Sequence, residues 1–156
     1  MSSNGTRGAA STGAVGEGAG GPDVANLGAK TILVMEDNPV LGLEVVFALE
    51  DRGATVTGPL ARLEAGLAAI DGPDSADPDA AVLDVELADG EVFPLAERLR
   101  ERGVPFVFYT ARGSEGHMRA RAGDAPVVSK SYGSTSVVEA LSERIAAQAK
   151  NGSSGT

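Results

Sequence analysis

Five residues of the types needed for group transfer to a carboxylate, Glu36, Asp37, Asp84, Thr110 and Lys130, each come at the end of a short apolar run. Thr31-Ile32-Leu33-Val34-Met35 ends in Glu36-Asp37, and Ala80-Ala81-Val82-Leu83 ends in Asp84. Pro105-Phe106-Val107-Phe108-Tyr109 ends in Thr110, and Pro126-Val127-Val128-Ser129 ends in Lys130. Such runs, bounded by Pro, Gly and Asp, read as strands buried on both faces. In an open parallel sheet, ligands collect outside the carboxyl ends of the strands. Three carboxylates gathered there would repel one another without a cation. The chain has no cysteine and a single histidine, His117, so oxygen ligands point to Mg²⁺ rather than Zn²⁺. A carboxylate beside Mg²⁺ can attack a phosphoryl group whose spreading charge is neutralised by the metal and an ammonium. Lys130 is the candidate ammonium, and the Thr110 hydroxyl a candidate donor to a phosphoryl oxygen. Singly, each has an ordinary explanation: a solvated acidic turn, a helix cap, a surface lysine. Their joint placement at successive strand ends carries the reading.

The elements that must position these residues alternate strand and helix. Asn38 caps a helix that begins with Pro39 and buries Leu41, Val45 and Leu49 until Arg52-Gly53 ends it. A second strand, Ala54 to Thr57, is expected to stop at Gly58-Pro59, and Leu63, Leu67 and Ile70 give the next helix its apolar stripe. Val92, Leu95 and Leu99 mark a third helix that tolerates Pro94 in its first turn and ends at Gly103. The segment from Ala111 to Asp124, with three glycines, supports only a short helix. Ser136-Val137-Val138-Glu139 fits a capping box for the last helix, continued by Leu141 and Ile145. The expected fold is therefore α/β, a flavodoxin-like (βα)5 three-layer sandwich with a parallel sheet. The flavodoxin-like strand order 2-1-3-4-5 brings the five candidates to the switch point between the first and third strands.

Length and charge bound the rest. The 156 residues suit one domain. Residues 1–29 are mostly Gly, Ala, Ser, Thr and Asn and are expected to be a flexible tail, with the domain over 30–150 and a second short tail over 151–156. With 22 acidic against 13 basic side chains and a net charge of -9, neither direct nucleic-acid binding nor an anionic membrane surface is expected. No apolar run approaches membrane-spanning length and none resembles a secretory signal, so a cytoplasmic protein is expected.

From about Lys30 to Lys150, Glu36-Asp37, Asp84, Thr110-Ala111 and Lys130 resemble the site of a response-regulator receiver domain of two-component signalling. The resemblance implies that Asp84 accepts a phosphoryl group from a phosphohistidine on a sensor histidine kinase or histidine phosphotransfer protein. It implies Mg²⁺ held by Asp37, Asp84 and the backbone carbonyl of Glu86, with Glu36 acting largely through water. Thr110 and Lys130 would engage the phosphoryl oxygens. It further implies a single-domain regulator that binds a downstream protein partner or serves as a phosphate sink in a phosphorelay, and that is no enzyme beyond its own phosphorylation and dephosphorylation.

Three positions depart from the family pattern. Ser131 follows Lys130 where the family usually has proline, often through a cis bond. Because cis before a non-proline residue costs about 2.5 to 4 kcal/mol, a trans bond and a rearranged loop are expected. Val127 stands where the family has an aromatic switch residue. Tyr109, with Ala111-Arg112-Gly113, resembles a subgroup with a glycine-rich segment after the fourth strand. Glu86 and Arg112, each two positions beyond a site residue, form a candidate charged gate on the path of water to the phosphoryl group. Two rival readings are a receiver-like docking module that needs no phosphorylation and an Asp-nucleophile phosphatase. Phosphatases of that type usually carry the nucleophile on the first strand, where this chain has the acidic pair.

Overall fold

In a computed structural model of the chain, residues 27–111 and 115–154 are described. Five parallel strands form the central sheet: β1 (Thr31–Met35), β2 (Thr55–Leu60), β3 (Ala80–Leu83), β6 (Phe106–Thr110) and β7 (Val127–Ser129). Two further short strands, β4 (Glu86–Leu87) and β5 (Gly90–Glu91), pair antiparallel as a hairpin directly after Asp84. The sheet order is β2-β1-β3-β6-β7, which is the flavodoxin-like order once the hairpin is set aside.

Helices α1 (Pro39–Glu50), α2 (Leu63–Asp71), α3 (Phe93–Glu101), α4 (Glu115–Ala122) and α5 (Gly133–Ser154) complete three layers. Strand residues alternate between two apolar clusters, as the period of two requires. Leu33, Met35, Leu83, Phe106 and Phe108 pack with Leu95 and Leu99 of α3 and Met118 of α4, whereas Ile32, Val34, Val82, Val107 and Tyr109 pack with Val45 and Leu49 of α1 and Val137 and Leu141 of α5. β3 is buried along its whole length, so its end is fixed from both faces.

Four local expectations need correction. β2 runs through Gly58-Pro59 to Leu60 rather than ending at Thr57. As the sheet's edge strand it tolerates a proline and a register shift opposite Met35. Gly58 is required there, because its φ is +122° and a Cβ would lie 2.4 Å from the Val34 carbonyl oxygen. The capping box at Ser136 does not form: α5 already begins at Gly133, and the Ser136 hydroxyl instead donates to the Tyr132 carbonyl at 3.1 Å. Leu27, grouped with the tail by composition, is 1% exposed in the α1/α5 cluster, and its backbone N–H donates to Arg52 at 2.9 Å. At the other end, α5 continues past Lys150 to Ser154.

Candidate functional site

Backbone bonds at the strand ends set the acidic residues in place. Glu36 N–H donates to the Leu60 carbonyl of β2 and Asp84 N–H to the Met35 carbonyl of β1, each at 2.9 Å. The strand pairing thus persists through both residues and fixes where their side chains leave the backbone. Asn38 then turns the chain into α1, its side-chain oxygen accepting from the N–H groups of Val40 at 3.0 Å and Leu41 at 3.1 Å.

Glu36 and Asp84 are buried, at 3% and 5% exposure, and Asp37 is exposed. One carboxylate oxygen from each lies within 4.8 Å of the others. The Lys130 ammonium closes the group from the turn after β7, donating to Asp84 Oδ2 and Glu36 Oε2 at 3.0 Å each. Glu36 Oε2 also accepts from the Asn38 N–H at 3.0 Å. Glu36 Oε1 is buried and lies 2.9 Å from Lys130 Nζ, so both oxygens of this carboxylate contact the one ammonium.

Burial pushes the Asp84 carboxyl up to about 7, and the neighbouring Glu36 adds to the rise while Lys130 opposes it. For Lys130, burial pulls the ammonium down, but its bonds to Glu36 and Asp84 outweigh that and hold it above the usual lysine value. One ammonium therefore only partly compensates the carboxylates around it. Three carboxylates whose oxygens lie this close, served by one ammonium and with no nitrogen or sulfur ligand among them, fit a hard divalent cation such as Mg²⁺.

A cleft of about 210 Å³ opens over these groups. Asp37, Asp84, Glu86, Thr110 and Lys130 line its polar part, so the structure brings together all the acceptor, metal and phosphoryl-contacting candidates apart from Glu36, which reaches the group beneath through Lys130. Thr110 is buried at the end of β6. Glu86 stands at the start of the hairpin, its N–H 3.4 Å from Asp84 Oδ1.

Tyr109 and Val127 are not part of the cleft. Tyr109 is 2% exposed on the α1/α5 side of the sheet, and burial raises its phenol pKa. Val127 is half-buried against the opposite cluster. The two therefore face opposite sides of the sheet, which removes any direct contact between them. Arg112, the other half of the candidate gate, lies outside the described residues.

Lys130–Tyr132 forms a single 3₁₀ turn, with the buried Ser129 hydroxyl accepting from the Ser131 N–H at 3.2 Å. Among the described residues the cis peptide bond is Gly58-Pro59, and Lys130-Ser131 is trans, as the missing proline predicts. Serine thus supplies the turn that follows Lys130.

Sequence reasoning missed the apolar side of the cleft: Val85, Phe93 and Met118, with Glu91 beside them. Phe93 was hidden because the helical period singles out Val92 and Leu95. Its ring lies 5.9 Å from Phe108, and the Arg121 guanidinium of α4 sits 3.7 Å from its centroid. Arg121 Nη1 is also 3.4 Å from Glu91 Oε1, opposite Glu86 in the hairpin. At the same end of α4, Arg100 donates to the neighbouring Ala122 carbonyl at 3.0 Å. The short helix is therefore held by two guanidinium groups in addition to buried Met118 and Ala122.

This arrangement is the fold of response-regulator receiver domains. A response regulator receiver protein of Sinorhizobium medicae WSM419 superposes with a TM-score of 0.68 at 22% identity, covering 79% of this chain and 99% of that one. A CheY-like receiver domain protein of Methanospirillum hungatei JF-1 gives 0.66 at 24% identity, over 78% of this chain and 98% of that one. The response regulator PhyR of Brucella abortus gives 0.71 at 20% identity over 85% of this chain, which spans 54% of PhyR's length. No family model matches the sequence, and a search of the curated proteins gives no match.

Proposed function

We propose that the protein is a phosphoryl-accepting receiver of two-component signalling in which Asp84 takes a phosphoryl group from a phosphohistidine on a sensor kinase or phosphotransfer protein. The observation that carries this is the Lys130 ammonium 3.0 Å from Asp84 Oδ2, at the mouth of a cleft that also holds Asp37 and Thr110. An Asp84 carboxylate oxygen bonds to phosphorus as the phosphorus–nitrogen bond breaks, the electron pair returning to the imidazole of the donor. Lys130 is within reach of a phosphoryl oxygen on Asp84, and Thr110 lines the same cleft from the end of β6.

Asp37 and Asp84, with the Glu86 carbonyl and with Glu36 through water, would hold Mg²⁺. When bound, that ion would supply positive charge against the phosphoryl oxygens and offset the burial and the Glu36 repulsion that raise the Asp84 pKa. The chain's own contribution is to exclude bulk water beneath Asp84 and to hold its carboxylate at a fixed distance from the ammonium. In this reading the protein turns over no substrate beyond its own phosphorylation and dephosphorylation, and it signals through a protein partner or by draining phosphoryl groups from a relay.

Intact-protein mass after incubation with acetyl phosphate tests the proposal. A phosphoryl adduct that requires both Mg²⁺ and Asp84, and is absent from Asp84→Ala, is the expected outcome. Absence of any adduct from the folded wild type, with acetyl phosphate and with a phosphohistidine donor alike, would instead favour a docking module indifferent to phosphorylation.

A further inference from the structure

The acidic cleft is lined by side chains of two chemistries. Asp37, Asp84, Glu86, Thr110 and Lys130 supply the polar lining, and Val85, Phe93 and Met118, with Glu91 beside them, supply the rest. The apolar residues belong to the core layer of α3 and α4. Phe93, the first residue of α3, is brought to the site by the hairpin: the Val92 N–H donates to the Val85 carbonyl at 2.9 Å, joining the residue before Phe93 to the residue after Asp84. Val85 and Met118 are buried, whereas Phe93 is only partly so and keeps ring surface open. Its ring is fixed by Phe108, at 5.9 Å and tilted by 52°, and by the Arg121 guanidinium 3.7 Å from its centroid. Arg121 lines the neighbouring surface depression with Leu63, Pro94 and Glu97 but not the cleft, so it rests on the outer side of the ring.

The phosphoryl donor brings a group of matching chemistry. In transfer from a phosphohistidine, an Asp84 oxygen bonds to phosphorus as the phosphorus–nitrogen bond breaks. The electron pair stays on the ring nitrogen and, because the second ring nitrogen already carries a proton, the ring departs as neutral imidazole. The phosphoryl charge remains with Lys130, while the departing ring needs a surface for a flat, uncharged heterocycle and one acceptor for its N–H. Before transfer the same ring is a cation, which an aromatic face and a carboxylate also favour. We propose that Phe93, with Val85 and Met118, seats the imidazole ring of the donor and that Glu91 accepts its N–H, so that this side of the cleft selects donors with an aromatic leaving group. The inference rests on the phosphoryl-acceptor reading and names what the site recognises beyond the phosphoryl group itself. Phe93 determines specificity, and Arg121 is a positioning residue that holds its ring from behind.

Two small donors with the same phosphorus–nitrogen bond separate the ring from the phosphoryl group: phosphoimidazole carries it and phosphoramidate does not. The rate of adduct formation with each, in Mg²⁺, is followed by intact-protein mass for the full chain, for Phe93→Ala and for Phe93→Leu. The expected result is a fall of about tenfold with phosphoimidazole in Phe93→Ala, against a change of less than about twofold with phosphoramidate. Phe93→Leu keeps the apolar volume that packs on Phe108 and should show the same selective loss, smaller in size. Equal losses with the two donors would show that Phe93 only supports the fold, and no loss with either that the ring does not use this side of the cleft; each result overturns the seat. A folded wild type that forms no adduct with either donor overturns the phosphoryl-acceptor reading itself, and is thereby distinguished from failure of the seat alone.

Discussion

The two edges of the central sheet use the same kinds of side chain to opposite ends. At the amino edge, Arg102 donates to Asp77 at 3.0 Å and to the Ile70 carbonyl at 2.8 Å, and pairs with Asp71, which also receives Arg98. Asp79 accepts from the Thr31 N–H at 2.7 Å. These groups are largely exposed and each charge has a partner. At the carboxyl edge, Glu36 and Asp84 are buried and share one ammonium. Exposed, paired charge adds modestly to stability. Buried, under-compensated charge detracts from it and persists where a ligand completes it. The contrast locates the functional edge by energetics, independently of any likeness to other proteins.

Substitutions at the two edges should therefore behave differently. Lys130→Met leaves two buried carboxylates without their cation and should lower unfolding stability by about 3 to 5 kcal/mol in urea titrations. Asp84→Asn, measured in EDTA, should act in the opposite direction and raise stability by about 2 kcal/mol, because it removes a buried charge that burial and Glu36 already disfavour. A loss of stability in that variant would mean that the carboxyl edge is not strained. Mg²⁺ should raise the wild-type thermal midpoint, with a stabilisation of about 1.4 kcal/mol at roughly ten times its Kd. Asp37→Asn and Asp84→Asn should each remove most of that gain.

The smallest effects belong to the exposed pairs. Arg102→Met should shift the thermal midpoint less than any change at the carboxyl edge. Asp89, in the hairpin turn, accepts from the N–H of Glu64 at 3.1 Å and from that of Leu63, closing the start of α2 from a distance. Burial tends to raise its carboxyl pKa, but these N–H donors and Arg62 outweigh it and hold the group below the usual carboxylate range. With its folded pKa depressed, its stabilisation is present above the unfolded carboxyl pKa and is lost as pH falls through the folded value. Asp89→Ala should accordingly lower the thermal midpoint near neutrality and cease to matter in strong acid, as a pH series of melts on both proteins would show.

The carboxyl edge was legible in the sequence because each site residue directly follows a buried run, so that residue type and strand end together fix its place. Asp84 after Leu83 and Lys130 after Ser129 needed no tertiary information. What was not legible depends on contacts distant in sequence. The hairpin of Glu86–Leu87 with Gly90–Glu91 is too short to carry a period, and Asp89 reads as a turn residue until α2 is seen starting against it. Leu27 is one apolar residue among small ones, and only the groove beside Arg52 and Ala54 makes it part of the core. Ser136 followed by Glu139 satisfies the capping pattern, but Ser129 starts the preceding turn and α5 continues from it. Tyr109 follows Phe108 on the opposite face of its strand, and only the packing of α1 and α5 shows that its ring is buried there.

The most direct test of the account is chemical placement of the phosphoryl group. The protein is treated with acetyl phosphate, reduced with borohydride, which converts an acyl phosphate to the alcohol, and sequenced by mass spectrometry. The account predicts homoserine at position 84 when Mg²⁺ is present and unmodified aspartate there when EDTA replaces it. Reduction at Asp37 or another carboxylate, or at none while the phosphoryl adduct persists, would contradict it.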